Sequence, residues 1–148
     1  MSKSGLVSLV NAIGGLFVAA YLTYSHYAPG SLYCTVGDCK TVQNSEYAML
    51  GPIPVAVLGL AMFVALIGLI VGRERMPARE FAITATTFGM TLLGVLFYIY
   101  LTYLEIAVIH AICQWCVISS LFTLAIFVVE TWRLWTRSLS VAPADPEP

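Results

Sequence analysis

The sequence predicts an all-α integral membrane protein: a bundle of four transmembrane helices with a long outer loop between the first two. Composition is the first reason. Of 148 residues, 59% are hydrophobic and only 10% are charged, with a mean hydropathy of +0.88; soluble domains carry about 45–50% apolar and about 25% charged residues. The second reason is length. About 20 apolar residues rising about 1.5 Å each cross about 30 Å of hydrocarbon, and the chain has room for four such segments. The third is that the basic residues segregate to one side of a four-span arrangement. Seven Lys+Arg against eight Asp+Glu give a net charge of −1, which leaves no basic footprint for nucleic acid. A soluble globular domain and a disordered chain are excluded. So is a closed β-barrel, whose strands alternate polar and apolar over about 10 residues.

The first span is read over residues 6–24, interrupted only by small polar residues and glycine. The second covers 53–72 and has no charge before Arg73. Residues 81–129 form an apolar block too long for one helix and right for two. The break is placed where Tyr103, Glu105 and His110 cluster, giving spans of 81–103 and 109–131. Residues 1–140 then form a single membrane domain, and 141–148, Pro-rich and acidic, a disordered tail. Lys3, the apolar run and Ala19-Ala20 also fit a cleaved secretory signal peptide, which would leave three helices and move nothing downstream to the other side.

Residues 24–52 are the one long loop, and loops of such length are usually functional or disordered. Within it, 40–50 are expected to form a short interfacial helix. Pro52 and Pro54 are expected in the first turn of the second span, where a missing N–H costs little. Lys3, Arg73, Arg75, Arg79, Arg133 and Arg137 fall on one side and Lys40 alone on the other. Positive residues favour the cytoplasmic side. Both termini and the 73–80 loop are therefore read as cytoplasmic, in a multi-pass protein of the inner or cytoplasmic membrane. Residues 25–52 and 104–109 face the periplasm or its equivalent.

All four cysteines fall on that outer, oxidising side. Cys34 and Cys39 lie in the long loop, spaced C-x4-C. Cys113 and Cys116, in Cys-Gln-Trp-Cys, lie at the outer end of the last span. Residues i and i+3 share a helix face, close enough for a disulfide. At a helix N-terminus, unpaired N–H groups and the positive end of the dipole make a thiol reactive. Two accessible pairs on one surface imply a relay: a loop pair exchanges with a soluble thiol protein, then with a fixed pair at the membrane. In a bilayer the obvious final acceptor is a quinone, its ring held in the bundle near Cys116. Other readings stay open: inert structural disulfides, a zinc site with all four cysteines as ligands, or buried small hydrophobes. Under either of the first two the protein is a non-enzymatic membrane scaffold.

The order and spacing of these residues resemble the vitamin K epoxide reductase family, in particular its bacterial homologues. The matching residues are Cys34-x4-Cys39, Val42, Ser45-Glu46-Tyr47-Ala48, Ile53-Pro54-Val55-Ala56-x2-Gly59 and Cys113-Gln-Trp-Cys116, over about residues 10–132. The DsbB family also has four helices and two outer pairs, but its C-x2-C comes first. The resemblance implies a four-helix bundle around a quinone pocket, with ubiquinone, menaquinone or a vitamin K as acceptor. It implies that Cys116 faces the quinone, that Cys113 exchanges with Cys39, and that Cys34 meets an extracytoplasmic thioredoxin-like partner. It implies that Ser45 positions the loop, and it assigns Tyr47 to a position usually aromatic. Many bacterial members carry a fused thioredoxin-like domain, so here that partner is expected to be a separate protein. Two departures stand out. Pro52-Ile53-Pro54 replaces the commoner Gly-Ile-Pro, and Ser120 occupies the place of a vertebrate tyrosine that contacts vitamin K.

Further residues are weighed on their chemistry. Tyr98, Tyr100 and Tyr103 crowd the outer end of the third span, as pocket lining or as an aromatic belt; Tyr100 and Tyr103 share a face and, with Ser120, are candidate quinone contacts. His110 lies three residues before Cys113, either as a partner of its thiolate or as an interfacial histidine. His26 reads as an interface residue. Glu105 reads as a marker of the outer turn or as a proton relay. Glu130, near the cytoplasmic end, reads as solvated.

Overall fold

The computed structural model describes residues 2–140; the expected tail, 141–148, lies outside them. Four long helices are apolar enough to cross a membrane: α1 (Lys3–Tyr27), α3 (Val55–Arg75), α4 (Glu80–Leu104) and α5 (Gln114–Ser140). Between α1 and α3 lie the short α2 (Cys39–Gln43), a 3-10 turn (Glu46–Ala48) and a small antiparallel hairpin, β1 (Met49–Leu50) with β2 (Ile53–Pro54). Each long helix packs on two others, α1 on α3 and α5, and α4 on α3 and α5, closing a ring. This is an integral membrane helical bundle, as the composition predicts.

The packing surfaces are built from small residues. In lipid no hydrophobic effect drives helices together, so close approach and hydrogen bonds decide which face turns inward. Thr84, Thr87 and Thr91 of α4 and Ser119 and Thr123 of α5 are buried, while Phe17, Leu93, Leu96 and Leu121 are exposed. Thr87, Thr91 and Thr123 donate to carbonyls one turn back in their own helices, which satisfies the buried hydroxyls. At Gly15 a Cβ would collide with the Phe63 ring, so glycine is what lets α1 and α3 close. Phe63, Leu66, Ile70, Ile126, Ala12 and Ala19 form the central core. A second cluster, with Val18, Leu22, Val42 and Ala111, gathers around the cysteines.

Several boundaries differ from the sequence reading. The first span runs further at both ends, and the second starts at Val55, because Ile53 and Pro54 pair with the chain before them. Pro54 is therefore the N-cap of α3, and Pro52 lies in the hairpin turn. The expected helix over 40–50 is split, since α2 ends at Gln43 with Asn44 as its cap. The fourth span starts at Gln114, not 109. After Leu104 the chain forms a π-helical turn, Glu105–Ile109, and His110 adopts a left-handed conformation (φ 55°, ψ 32°) that stops it.

The expectation of a solvated Glu130 is overturned. Its side chain is fully buried, pairs with Arg73 at 2.7 Å and accepts the Ser8 hydroxyl at 2.8 Å. Arg73 is equally buried, with its Nη1 3.5 Å from Thr84 Oγ1. Further out, Glu80 pairs with Arg133 and Arg137. The terminal end of the bundle is thus closed by ionic contacts between helices far apart in sequence.

Candidate active site

At the loop end, Cys34 and Cys39 form a disulfide, and Cys113 and Cys116 are free thiols. Both pairs belong to one apolar cluster. Cys39 opens α2 and is fully buried, while Cys34 is half-buried. The preceding Asp38 caps α2 through Thr41. Hydrogen bonds from the Thr41 hydroxyl and N–H hold the Asp38 carboxyl below the usual carboxylate range. Cys113 immediately precedes α5, its carbonyl accepting the Val117 N–H at 3.1 Å, and Cys116 lies in the first turn.

The loop docks on the dithiol segment mainly through backbone. Gly37 pairs with Cys113 in an isolated antiparallel bridge, and the Asp38 N–H donates to Ile112 O at 3.0 Å. Gly37 has φ 84°, and a Cβ there would strike the Ile112 carbonyl, so conformation and space both require glycine. Gln114 Oε1 accepts the Val36 N–H and the Thr35 hydroxyl, each at 2.9 Å. The Trp115 indole donates to Tyr33 O at 2.8 Å and packs edge-on against Tyr21. Tyr21 Oη in turn accepts the Tyr33 N–H and donates to Ser31 O.

Beneath this dock lies a cavity of about 80 Å³. Leu22, Val42, Val55, Leu101, Leu104 and Ile109 supply apolar walls, and Cys116 stands at its edge. Polar groups enter from Ser45, Tyr47, His26, Tyr98, Ser119 and Glu105. Tyr98 Oη and Ser119 Oγ are 2.7 Å apart. Ser45 donates to Val42 O at 2.7 Å, bracing the turn it starts.

Of the residues singled out from sequence, Ser45, Tyr47, Cys116, Tyr98, Glu105 and His26 come together at this cavity. Tyr100 and Tyr103 do not line it; both are exposed on the outer face of α4. Ser120 does not line it either, and its hydroxyl is spent on Val117 O. The reason is rotation: Tyr98, Leu101, Leu104 and Glu105 follow helical spacing and share one face, which places residues 100 and 103 away from it. On α5 it is Ser119, buried and paired with Tyr98, that lines the cavity instead of its neighbour Ser120. His110 precedes the helix and is exposed, so it shares no helical face with Cys113. The Tyr21, Gln114 and Trp115 clamp was not foreseen; nothing local in the sequence links residue 21 to 115.

A membrane bundle carrying one formed disulfide, docked by backbone on a free dithiol, has the parts of a thiol oxidoreductase. The comparison with known families agrees. The sequence model of the vitamin K epoxide reductase family matches residues 6–131. The chain belongs to that family, and it is a membrane thiol oxidoreductase.

Proposed function

We propose that this protein oxidises an extracytoplasmic thioredoxin-like protein and passes two electrons through Cys34/Cys39 and Cys113/Cys116 to a membrane quinone, supporting disulfide formation. The observation that carries this reading is a cavity that opens onto Cys116 while the loop disulfide sits docked beside Cys113. Its walls suit a quinone ring: apolar side chains on most sides, the Tyr98 and Ser119 hydroxyls within reach of a carbonyl, and a thiol at the edge. A quinone bound there supplies a two-electron, two-proton acceptor.

The residues then take distinct tasks. Cys34 receives the partner's thiolate. Cys39 exchanges with Cys113, and Cys116 delivers electrons to the cavity. Ser45 and Tyr47 shape the wall that the loop presents. Cys34 and Cys39 are bonded to each other, which removes two thiolates from a four-cysteine zinc site. The domain extends over 1–140, with both termini cytoplasmic and the cysteine end outward, as the basic residues indicate.

The test is reconstitution with a reduced thioredoxin-like protein and, in turn, ubiquinone, menaquinone and a vitamin K quinone. Quinol should form with at least one of them, and Cys116→Ala should abolish it. Full quinone reduction by Cys116→Ala overturns the mechanism.

A further inference from the structure

Glu105 is a buried acid at the cavity with no cationic partner. It is 4% exposed, and it is the one carboxylate among the residues that line the cavity. Its Oε2 accepts the Cys113 N–H at 3.2 Å, and its carboxyl neighbours the Cys116 thiol. Among the described residues no arginine, lysine or histidine pairs with it. Elsewhere in the bundle buried Glu130 does have such a partner, Arg73. An acid held in the membrane without a counter-charge is costly and marks function more often than structure. Its backbone position is unusual too, since it opens the π-helical turn and its carbonyl accepts the N–H groups of His110 and Ala111. Such turns recur at functional sites.

Resting on the quinone-reducing reading above, we propose that Glu105 is the proton carrier between the Cys116 thiol and the quinone. The carboxylate takes the Cys116 proton as that sulfur gives up its electrons. The resulting carboxylic acid delivers the proton to a quinone oxygen. Cys113 sulfur then bonds to Cys116 sulfur, and the Cys113 proton follows through the same carboxyl to the second oxygen. Two S–H bonds break, one S–S bond and two O–H bonds form, and two electrons leave the dithiol; Glu105 ends as it began. The titratable groups facing it are Cys113 and Cys116 at the start of α5, His26 of α1, Tyr98 of α4 and Tyr47 of the loop; α3 contributes Pro54, Val55, Ala56 and Gly59.

Glu105→Gln separates this role from mere capping, because the amide oxygen still accepts the Cys113 N–H. Two measurements should move in opposite directions. Without quinone, iodoacetamide should alkylate Cys116 several-fold faster at a given pH, since a negative neighbour of the thiolate is gone. With quinone, the single-turnover rate should fall about 100-fold, while reduction of Cys34–Cys39 by the thiol partner stays within about twofold. In the unmodified protein and in Glu105→Asp, the turnover rate should decline toward acid pH as the carboxylate is protonated, and that limb should be absent from Glu105→Gln. Quinone reduction by Glu105→Gln at the parental rate, or alkylation and turnover rising together, overturns the proposal. A rate that stays flat toward acid pH in the unmodified protein overturns it without any variant at Glu105. If Cys116→Ala still reduces quinone, the broader mechanism fails; if it is inactive and Glu105→Gln is unaffected, only the proton-carrier role fails.

Discussion

Glu130→Gln should destabilise the bundle far more than a conservative change at a solvated position. The two charges are 2.7 Å apart, and at an effective dielectric of about 20 they attract by about 6 kcal/mol. Much of that is offset by the cost of taking both from water, so the informative quantity is the penalty for removing one partner. Arg73 is already under-satisfied, since its Nε and Nη2 have no hydrogen-bond partner among the described residues. With Glu130 neutral, the guanidinium becomes an uncompensated buried charge, and such losses cost about 3–5 kcal/mol. Chains of this size shift by roughly 2–4 °C per kcal/mol, so the unfolding midpoint in detergent, followed by tryptophan fluorescence, should fall by about 10 °C. Replacing both residues, Arg73→Met with Glu130→Leu, should recover most of that loss, because an apolar pair of similar volume is often as stable as the ions. A single variant within about 1 °C of the parent, or a double variant worse than the single, would refute the reasoning.

Gly37→Ala should slow exchange between the two cysteine pairs while leaving the four spans folded. The added methyl strikes the Ile112 carbonyl at a positive-φ position, and the readout is the rate at which an oxidised Cys113–Cys116 pair becomes reduced once the loop pair is reduced. Tyr98→Phe leaves Ser119 without its hydroxyl partner and should raise the quinone KM by about tenfold, one lost hydrogen bond. Tyr100→Phe and Tyr103→Phe, on the outer face, should leave it unchanged. Asp38 is a carboxylate whose ionised form is favoured by folding, so its support for α2 is present at neutral pH and lost as pH falls through its lowered pKa. Loop docking, read by protease access to residues 35–40, should therefore loosen in acid, and Asp38→Asn should already be loosened at pH 7.

What was legible in the sequence is what sums over a window or depends on order alone. Hydropathy over about 20 residues finds each span, and the order of C-x4-C before C-x2-C carries the family. Rotation and register are different, because they depend on which neighbours a helix meets. A window over α4 scores Tyr98, Tyr100 and Tyr103 alike, yet only Tyr98 turns inward. The buried stripe of threonines on α4 inverts the rule of soluble helices, so an apolar periodicity has no core to report. Arg73 and Glu130 each look like ordinary charges at a span end, and only the packing of α3, α4 and α5 brings them together. The start of α5 was missed for a local reason: His110 breaks the chain through its backbone conformation, which hydropathy does not register.

The two cysteine pairs also differ in what holds them, and the difference bears on the direction of traffic. Cys113 and Cys116 are continuous with α5, whose buried residues Ser119, Thr123, Ile126 and Glu130 run the length of the bundle. Moving the dithiol means unpacking that helix. The loop disulfide is held by a handful of hydrogen bonds to residues 112–115 and to Tyr21, each worth about 0.5–1.5 kcal/mol net. Tyr33 and Val36, close to Cys34 in the chain, are exposed. The loop pair is therefore the one that opens cheaply. Exposure also orders the two sulfurs: Cys34 is half-buried, whereas Cys39 is fully buried in the cluster that contains Cys113. On the proposed relay, an incoming partner thiolate would reach Cys34 first, form the mixed disulfide there, and release Cys39 as a thiolate. That thiolate is freed on the side facing Cys113, not toward solvent. When Cys113 and Cys116 are themselves a disulfide, the next nucleophile is already in the cluster that holds its target. On that relay the partner's first thiolate attacks the more open sulfur of the loop pair, and its second thiolate resolves the mixed disulfide and frees Cys34.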